Sequence, residues 1–308
     1  MTTIPSMPDG NRLMKLATYA AVSVALILVA IKLWAWLTTD SVAMLGSLVD
    51  STLDVMVSTV NLLAVHAAVT PADREHRFGH GKAEAIAGLL QALVISASAI
   101  FLMVQSVERI ITPEPIERGL IGVGVMVVSI VLTFGLVWYQ RYVITHSRSL
   151  AIKAENLHYV SDLLMNLGVI VALVVSGPLG VPYVDPIIAI LIAIILLDGS
   201  RKIAIQSFDM VMDREFPDED RQKIKDLVLA HSDVVAMHDL RTRSSGTSSF
   251  IQFHIELDPT ISLMKSHDIS DEVEASVAAV FPHAEILIHQ DPHGIPEPRV
   301  EFPGTGLP

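Results

Sequence analysis

Residues 46 to 65 read GSLVDSTLDVMVSTVNLLAV, an apolar helical stretch whose only charged residues are Asp50 and Asp54. The two carboxylates stand four residues apart, so on a helix they share one face, with Cβ atoms about 5–6 Å apart. A second stretch, ENLHYVSDLLMNLGVIVALV over 155 to 174, repeats that spacing with His158 and Asp162. An ionisable side chain at the centre of a bilayer costs roughly 2.5–3.5 kcal/mol on insertion scales. Four of them require a water-filled cavity or a cation, and neither stretch contains a Lys or Arg to neutralise them. Brought together, the two pairs offer one nitrogen and three carboxylates, a donor set for four-coordinate Zn2+ or a similar ion. The plainer alternative is polar side chains that hydrogen-bond between helices, a task usually given to Ser, Thr, Asn or Gln. Asn61 and Asn166 are the candidates for that task, and His66, a lone imidazole near a helix end, is read as structural.

The 308 residues are 51% hydrophobic and 18% charged. Soluble domains seldom combine those values, and apolar runs of about 20 residues are the signature of membrane helices. Charge is unevenly placed: residues 210–308 carry 8 Lys and Arg against 18 Asp and Glu, ten of the twelve net negative charges. The split predicts a membrane domain over 1–209, an acidic soluble domain over 210–293 and a disordered Pro/Gly-rich tail over 294–308. The acidic balance argues against a nucleic-acid partner and suits cations. With no cysteine in the chain, disulfides and thiolate metal sites are excluded, and any metal must be held by His, Asp, Glu or backbone. No signal-peptide pattern precedes the first apolar segment, which is expected to be retained as a helix.

Six spans are expected, at roughly 14–37, 42–69, 83–109, 119–144, 155–176 and 184–207. Arg12, Lys15, Arg74, Arg77, Lys82, Arg141, Arg148, Lys153, Arg201 and Lys202 then fall on one side, against Arg109 and Arg118 on the other, with Lys32 inside the first span. The positive-inside rule places both termini and the acidic domain in the cytoplasm of a multi-pass inner-membrane protein. The acidic domain reads as α-β-β-α-β. FPDED opens a helix over about 217–231 with the acidic first turn that suits the helix dipole. Two strands flank a Ser/Gly turn, and Ile251, Phe253, Ile255 and Leu257 alternate with Gln252, His254 and Glu256, giving one buried and one polar face. A helix and a closing strand, AEILIHQ, follow.

The paired DxxxD and HxxxD motifs, six spans and an αββαβ domain resemble the cation diffusion facilitator family. PADREHRFGHGKAEAIAGLLQ, HDLRTRSSG, FIQFHIELD and ILIHQDP are similar to its bacterial zinc/ferrous-iron efflux branch. The resemblance covers roughly residues 14 to 293. It implies an α-helical membrane domain of six transmembrane helices and a cytoplasmic α+β domain of ferredoxin-like, metallochaperone-like fold. It also implies a homodimer that exports divalent metal across the lipid bilayer in exchange for protons. All four positions of the family's intramembrane motif are matched by Asp50, Asp54, His158 and Asp162. Asp rather than His at the first position implies a wider range than Zn2+ alone, with Cd2+ or Fe2+ as further candidates.

Asp73, His76 and His80, in the loop after the second span, are spaced to suit one metal in a tight turn, or to serve as a solvated loop at lipid headgroups. The resemblance favours metal. In the soluble domain it implies a two-metal site at the dimer interface from His238, His254, His267, His289 and Asp291, with Asp291 bridging. His146, His231, His283 and His293 match no role and are read as surface residues. Lys82 and Asp213 match a salt bridge at the hinge between the domains.

With neutral His158, the intramembrane site carries three negative charges, which favour protons or a dication. Metal binding needs deprotonated ligands, so the two compete for the same groups. Alternating access converts that competition into antiport, with His158, whose side chain ordinarily titrates near pH 6.5, as the coupling group. A membrane metalloenzyme is the main rival class, but signatures such as HExxH are absent. A membrane-anchored metal sensor without transport has no use for ligands inside the bilayer, and a channel would conduct without a proton gradient.

Overall fold

The computed structural model describes residues 10–40, 42–112, 120–147, 149–179, 183–246 and 248–295. The expected tail lies almost wholly outside the described residues, as do Arg118 and Arg148. The chain divides into two compact units, Met1–Met212 with Ser245–Thr247, and Asp213–Ser244 with Ser248–Pro308.

The first unit holds six long helices: α1 Gly10–Thr39, α2 Val42–Ala68, α3 Ala83–Ile111, α4 Leu120–Ser147, α5 Leu150–Leu179 and α6 Val184–Val211. At 1.5 Å per residue each exceeds the roughly 30 Å of hydrocarbon in a bilayer. Among the described residues, four of the six helices, α1 to α4, qualify by length and composition to cross a membrane. α3 packs chiefly on α6, and α2 on α1, α3 and α5. Close approach is achieved with small residues: a Cβ at Gly88 of α3 would collide with the Ser207 hydroxyl of α6. Large apolar side chains such as Trp34, Leu63, Phe101 and Trp138 point outward, the arrangement expected where the surrounding solvent is hydrocarbon.

Buried polar contacts fix α5 against its neighbours. The Glu84 carboxylate, buried at the start of α3, accepts from Ser149 Oγ at 3.1 Å and from the backbone N–H of Leu150 at 3.0 Å. A side chain from another helix thus satisfies the first turn of α5, where N–H groups lack intrahelical partners. Further along, the buried Tyr159 hydroxyl meets Ser58 Oγ of α2 at 2.8 Å and donates to the Ala21 carbonyl of α1 at 3.3 Å. Asn156 Nδ2 donates to the Val137 carbonyl and to Gln140 Oε1, both at 3.2 Å, holding α4.

The second unit has α7 Asp218–Leu229, β1 Ala236–Ser245, β2 Ser248–Leu257, α8 Leu263–Val280 and β3 Ala284–Pro292. Its element order is the expected αββαβ. Strand order is β1-β2-β3, and β2 and β3 run parallel with His254 opposite His289 and Glu256 opposite Asp291. Gly246, at φ +63°, occupies the left-handed region at the β1–β2 turn. α7 starts after Pro217 with Asp218, Glu219 and Asp220 in its first turn, and Ser262 Oγ caps α8 by accepting from the Lys265 N–H at 3.2 Å. Ile251, Phe253, Ile255 and Leu257 pack on Ile224 and Val228 of α7 and Ile269, Val273 and Val277 of α8. Both helices cover that one sheet face. The other face carries Gln252, His254, Glu256, Leu287, His289 and Asp291.

Phe253 is 1% exposed at the centre of this core. Phe253→Ala is expected to cost about 3–5 kcal/mol. Amide hydrogen exchange on the whole protein checks this: protection should fall across β1–β3 while that of α1–α6 is unchanged.

Candidate metal sites

The four-residue spacing does bring α2 and α5 into register at one level. His158 Nε2 lies 3.0 Å from Asp54 Oδ1 and 3.9 Å from Asp162 Oδ2, and all three side chains are largely buried. Their donor atoms all fall within 4.8 Å of one another, close enough to share one ion. Asp50 departs from the expected set. It is exposed, one helical turn before Asp54 and outside the cluster of three. Asn166 departs too, because its Nδ2 donates to the Asp162 carbonyl on its own helix at 2.8 Å rather than across to another. His66 is hydrogen-bonded at both ring nitrogens, with Tyr19 Oη at 3.0 Å and the Leu62 carbonyl at 2.9 Å.

Two residues that the spacing motif does not include stand beside the cluster. Glu155 is fully buried one turn before His158 and accepts from Gln140 Nε2 at 3.2 Å. Lys32 of α1 reaches α2, where its Nζ donates to Ser51 Oγ at 2.6 Å and to the Ser47 carbonyl at 3.2 Å. The absence of a basic residue from spans two and five therefore does not leave the carboxylates without a neighbouring cation. Lys32 comes from a helix that carries neither motif, and its mark in the sequence is a lysine in the middle of an apolar run.

In the loop between α2 and α3, Asp73, His76 and His80 converge: Asp73 Oδ1 is 3.5 Å from His76 Nδ1, and Oδ2 is 3.4 Å from His80 Nε2. The turn that gathers them is built by Asp73 itself, whose Oδ1 accepts from the backbone N–H groups of His76 at 2.6 Å and Glu75 at 2.9 Å. Those bonds, that from His76 foremost, hold the Asp73 carboxyl below its ordinary value.

The open face of the sheet gathers a second group. Asp291, 4% exposed, presents Oδ2 to His254 Nδ1 at 2.8 Å and to His238 Nε2 at 3.2 Å, and Oδ1 to His289 Nε2 at 3.1 Å. Parallel register explains the convergence, since residues opposed across β2 and β3 project from the same face. A carboxylate divided in this way has the geometry to link two adjacent ions. His267 stands apart, 64% exposed on α8 with Nε2 3.6 Å from Asp271. Glu256, not singled out by its sequence, faces His238 Nδ1 at 3.3 Å and His293 Nδ1 at 2.8 Å, which gives His293 a partner among these side chains. Asp239 joins His238 and His254 in a further group of potential donors. Of the expected hinge pair, Lys82 Nζ donates to the Val211 carbonyl at 3.3 Å, and Asp213 Oδ2 lies 3.4 Å from Arg243 Nη1.

Apolar helices with a His/Asp donor set between them, joined to a sheet with a His/Asp cluster, are the parts of a membrane protein that handles cations. Residues 18–212 match the cation efflux transmembrane domain, and residues 216–293 match the cytoplasmic domain of cation efflux proteins. The chain is 42% identical over 284 residues to the cation-efflux pump FieF of Cronobacter sakazakii, covering 92% of this chain and 94% of that one. It is 41% identical over 293 residues to the FieF of Serratia proteamaculans, covering 95% and 97%. The chain belongs to the cation efflux family: it is a multi-pass membrane transporter of cations, not an enzyme.

The depressed Asp73 pKa has a signed consequence. The turn's stabilisation by the charged carboxylate is fully present above the unfolded value of about 3.9. It is lost as pH falls through the lower folded value. Amide NMR of Glu75 and His76 should follow that loss. Asp73→Asn, which keeps an accepting oxygen, should preserve the turn yet weaken Cd2+ binding at the loop by tenfold or more. Asp73→Ala should lose both.

Proposed function

We propose that this chain exports divalent metal from the cytoplasm across a bacterial inner membrane in exchange for protons, with Zn2+ as cargo and Cd2+ and Fe2+ as further cargoes. The observation that carries the reading is the Asp54–His158–Asp162 cluster, with His158 Nε2 3.0 Å from one carboxylate and 3.9 Å from the other. One imidazole and two carboxylates fit a borderline cation such as Zn2+, and Asp50, a turn away on α2, supplies the fourth ligand after a small side-chain or helix adjustment. These groups bind metal only when deprotonated. A proton arriving from the far side therefore displaces the ion, and the protonated site returns to the cytoplasm.

In this reading all six long helices cross the bilayer. The charged residues of α5 and α6 face the bundle interior or the membrane surface, where their cost is small. The excess of Lys and Arg on one side of the helices puts both termini and the second unit in the cytoplasm. The protein works as a homodimer, a reading supported by the match of residues 216–293 to the cytoplasmic domain of cation efflux proteins. The Asp291 cluster and the Asp73 loop are further cytoplasmic metal sites. They stabilise or regulate the dimer. The boundaries proposed are residues 1–209 for transport, 210–293 for the metal-binding domain and 294–308 for the tail.

Reconstitution in liposomes with an imposed pH gradient, following Zn2+ and Cd2+, tests this. Flux should track the gradient, and Asp54→Ala and His158→Ala should each reduce it at least a hundredfold. Flux indifferent to the gradient would identify a channel. No flux, with metal binding at the Asp291 cluster intact, would identify a sensor.

A further inference from the structure

Lys32 is costly where it stands. It lies in the second half of α1, within an apolar run, more than four turns beyond Lys15, the preceding basic residue of that helix. Hydrogen-bonding to Ser51 and Ser47 accounts for its donors but not for its charge, because a neutral amide in the same place would satisfy the same two oxygens. The residues around it account for the charge. Ser51, which Lys32 Nζ meets at 2.6 Å, is 1% exposed and follows Asp50 directly, one turn before Asp54. Against the cost of burying an ammonium, Asp54, Asp162 and Asp50, in that order, are the anions in its field. On α5 the neighbourhood also holds His158, Tyr159 and the buried Glu155, whose carboxylate accepts from Gln140 and lies outside the donor cluster. α4, the other helix packed on α1, has no charged residue between Leu120 and Gln140.

We propose that the Lys32 ammonium is a resident counter-charge of the transport site and sets the valence of the cargo the site accepts. This rests on the reading of Asp50, Asp54, His158 and Asp162 as that site. Three carboxylates and a neutral imidazole alone carry three negative charges, which match a trivalent ion. With Lys32 the set carries two, and a dication brings it to neutrality. In a bundle surrounded by hydrocarbon, residual charge is penalised far more than in water, so one fixed ammonium weighs strongly on which ion is held. Lys32 need not touch the ion. It is anchored to the backbone and side chain of α2 and acts through the field at the carboxylates, so it is a specificity-determining residue rather than a ligand.

The test is binding of Cd2+ and Tb3+ to the purified full-length protein at one fixed pH, comparing wild type with K32M, K32Q and K32R. Each is also made with Asp54→Ala, so that the difference reports the transport site alone. K32M and K32Q should raise Tb3+ affinity relative to Cd2+ by at least tenfold, and K32R should keep the wild-type ratio. K32Q retains donors for Ser51 and Ser47, which keeps the test valid if K32M misfolds. A ratio unchanged in both neutral variants overturns the inference, as does a ratio that moves equally in K32R or a uniform loss of affinity for both ions. Wild-type binding that does not depend on Asp54 overturns instead the assignment of the site.

Discussion

An imidazole on α5 held 3.0 Å from a carboxylate on α2 is the contact around which the membrane unit is organised. Ionisable groups in an apolar bundle are tolerated only when they compensate one another or an ion, so the two helices must meet at one level with little latitude. α5 is accordingly pinned over its first half. Glu84 of α3 closes its first turn, Asn156 ties it to α4, and Tyr159 ties it to α1 and α2. Each contact lies in the half of α5 that leads up to the ligands. α3 and α6 approach through small residues, Gly88 against Ser207 and Ser96 against Ser200.

The second unit answers a different constraint with the same residue types. Its core is an ordinary one-sided layer, with α7 and α8 on one face of a three-stranded sheet. The remaining face is free to be polar, and it carries the His238–His254–His289–Asp291 cluster. Parallel pairing of β2 and β3 makes neighbours of residues 35 apart in the chain, His254 and His289. Glu256 and His293 extend the same stripe.

Much of this was legible in the residues because it follows from short periods. Four-residue spacing gave Asp54, His158 and Asp162, and two-residue alternation gave the buried side of β2 from Ile251 to Leu257. The Asp73 turn brings together the three loop residues whose spacing suggested it. What escaped depended on contacts between elements. Lys32 reaches the ligand helix from α1, Glu256 meets two histidines only once three strands are aligned, and Asn166 turns back on its own helix. Asp50 has the right spacing but sits at the exposed margin of α2, and His267 faces outward on α8. Periodicity fixes which face of an element a residue occupies; it does not say what the neighbouring element sets against that face.

The cap that Glu84 places on α5 couples two regions that chemistry alone would treat separately. His80 closes the donor group of the loop, and Glu84 lies four residues later, with the Ala83 N–H bonded to the His80 carbonyl and the Glu84 N–H to that of Gly81. The loop therefore runs into α3 through a continuous hydrogen-bonded turn, from which Lys82 reaches the end of α6 and Glu84 grips the start of α5. Two turns further along α5 stands His158. The carboxylate of Glu84 is thus a joint shared by the loop's exit and the helix that carries the imidazole.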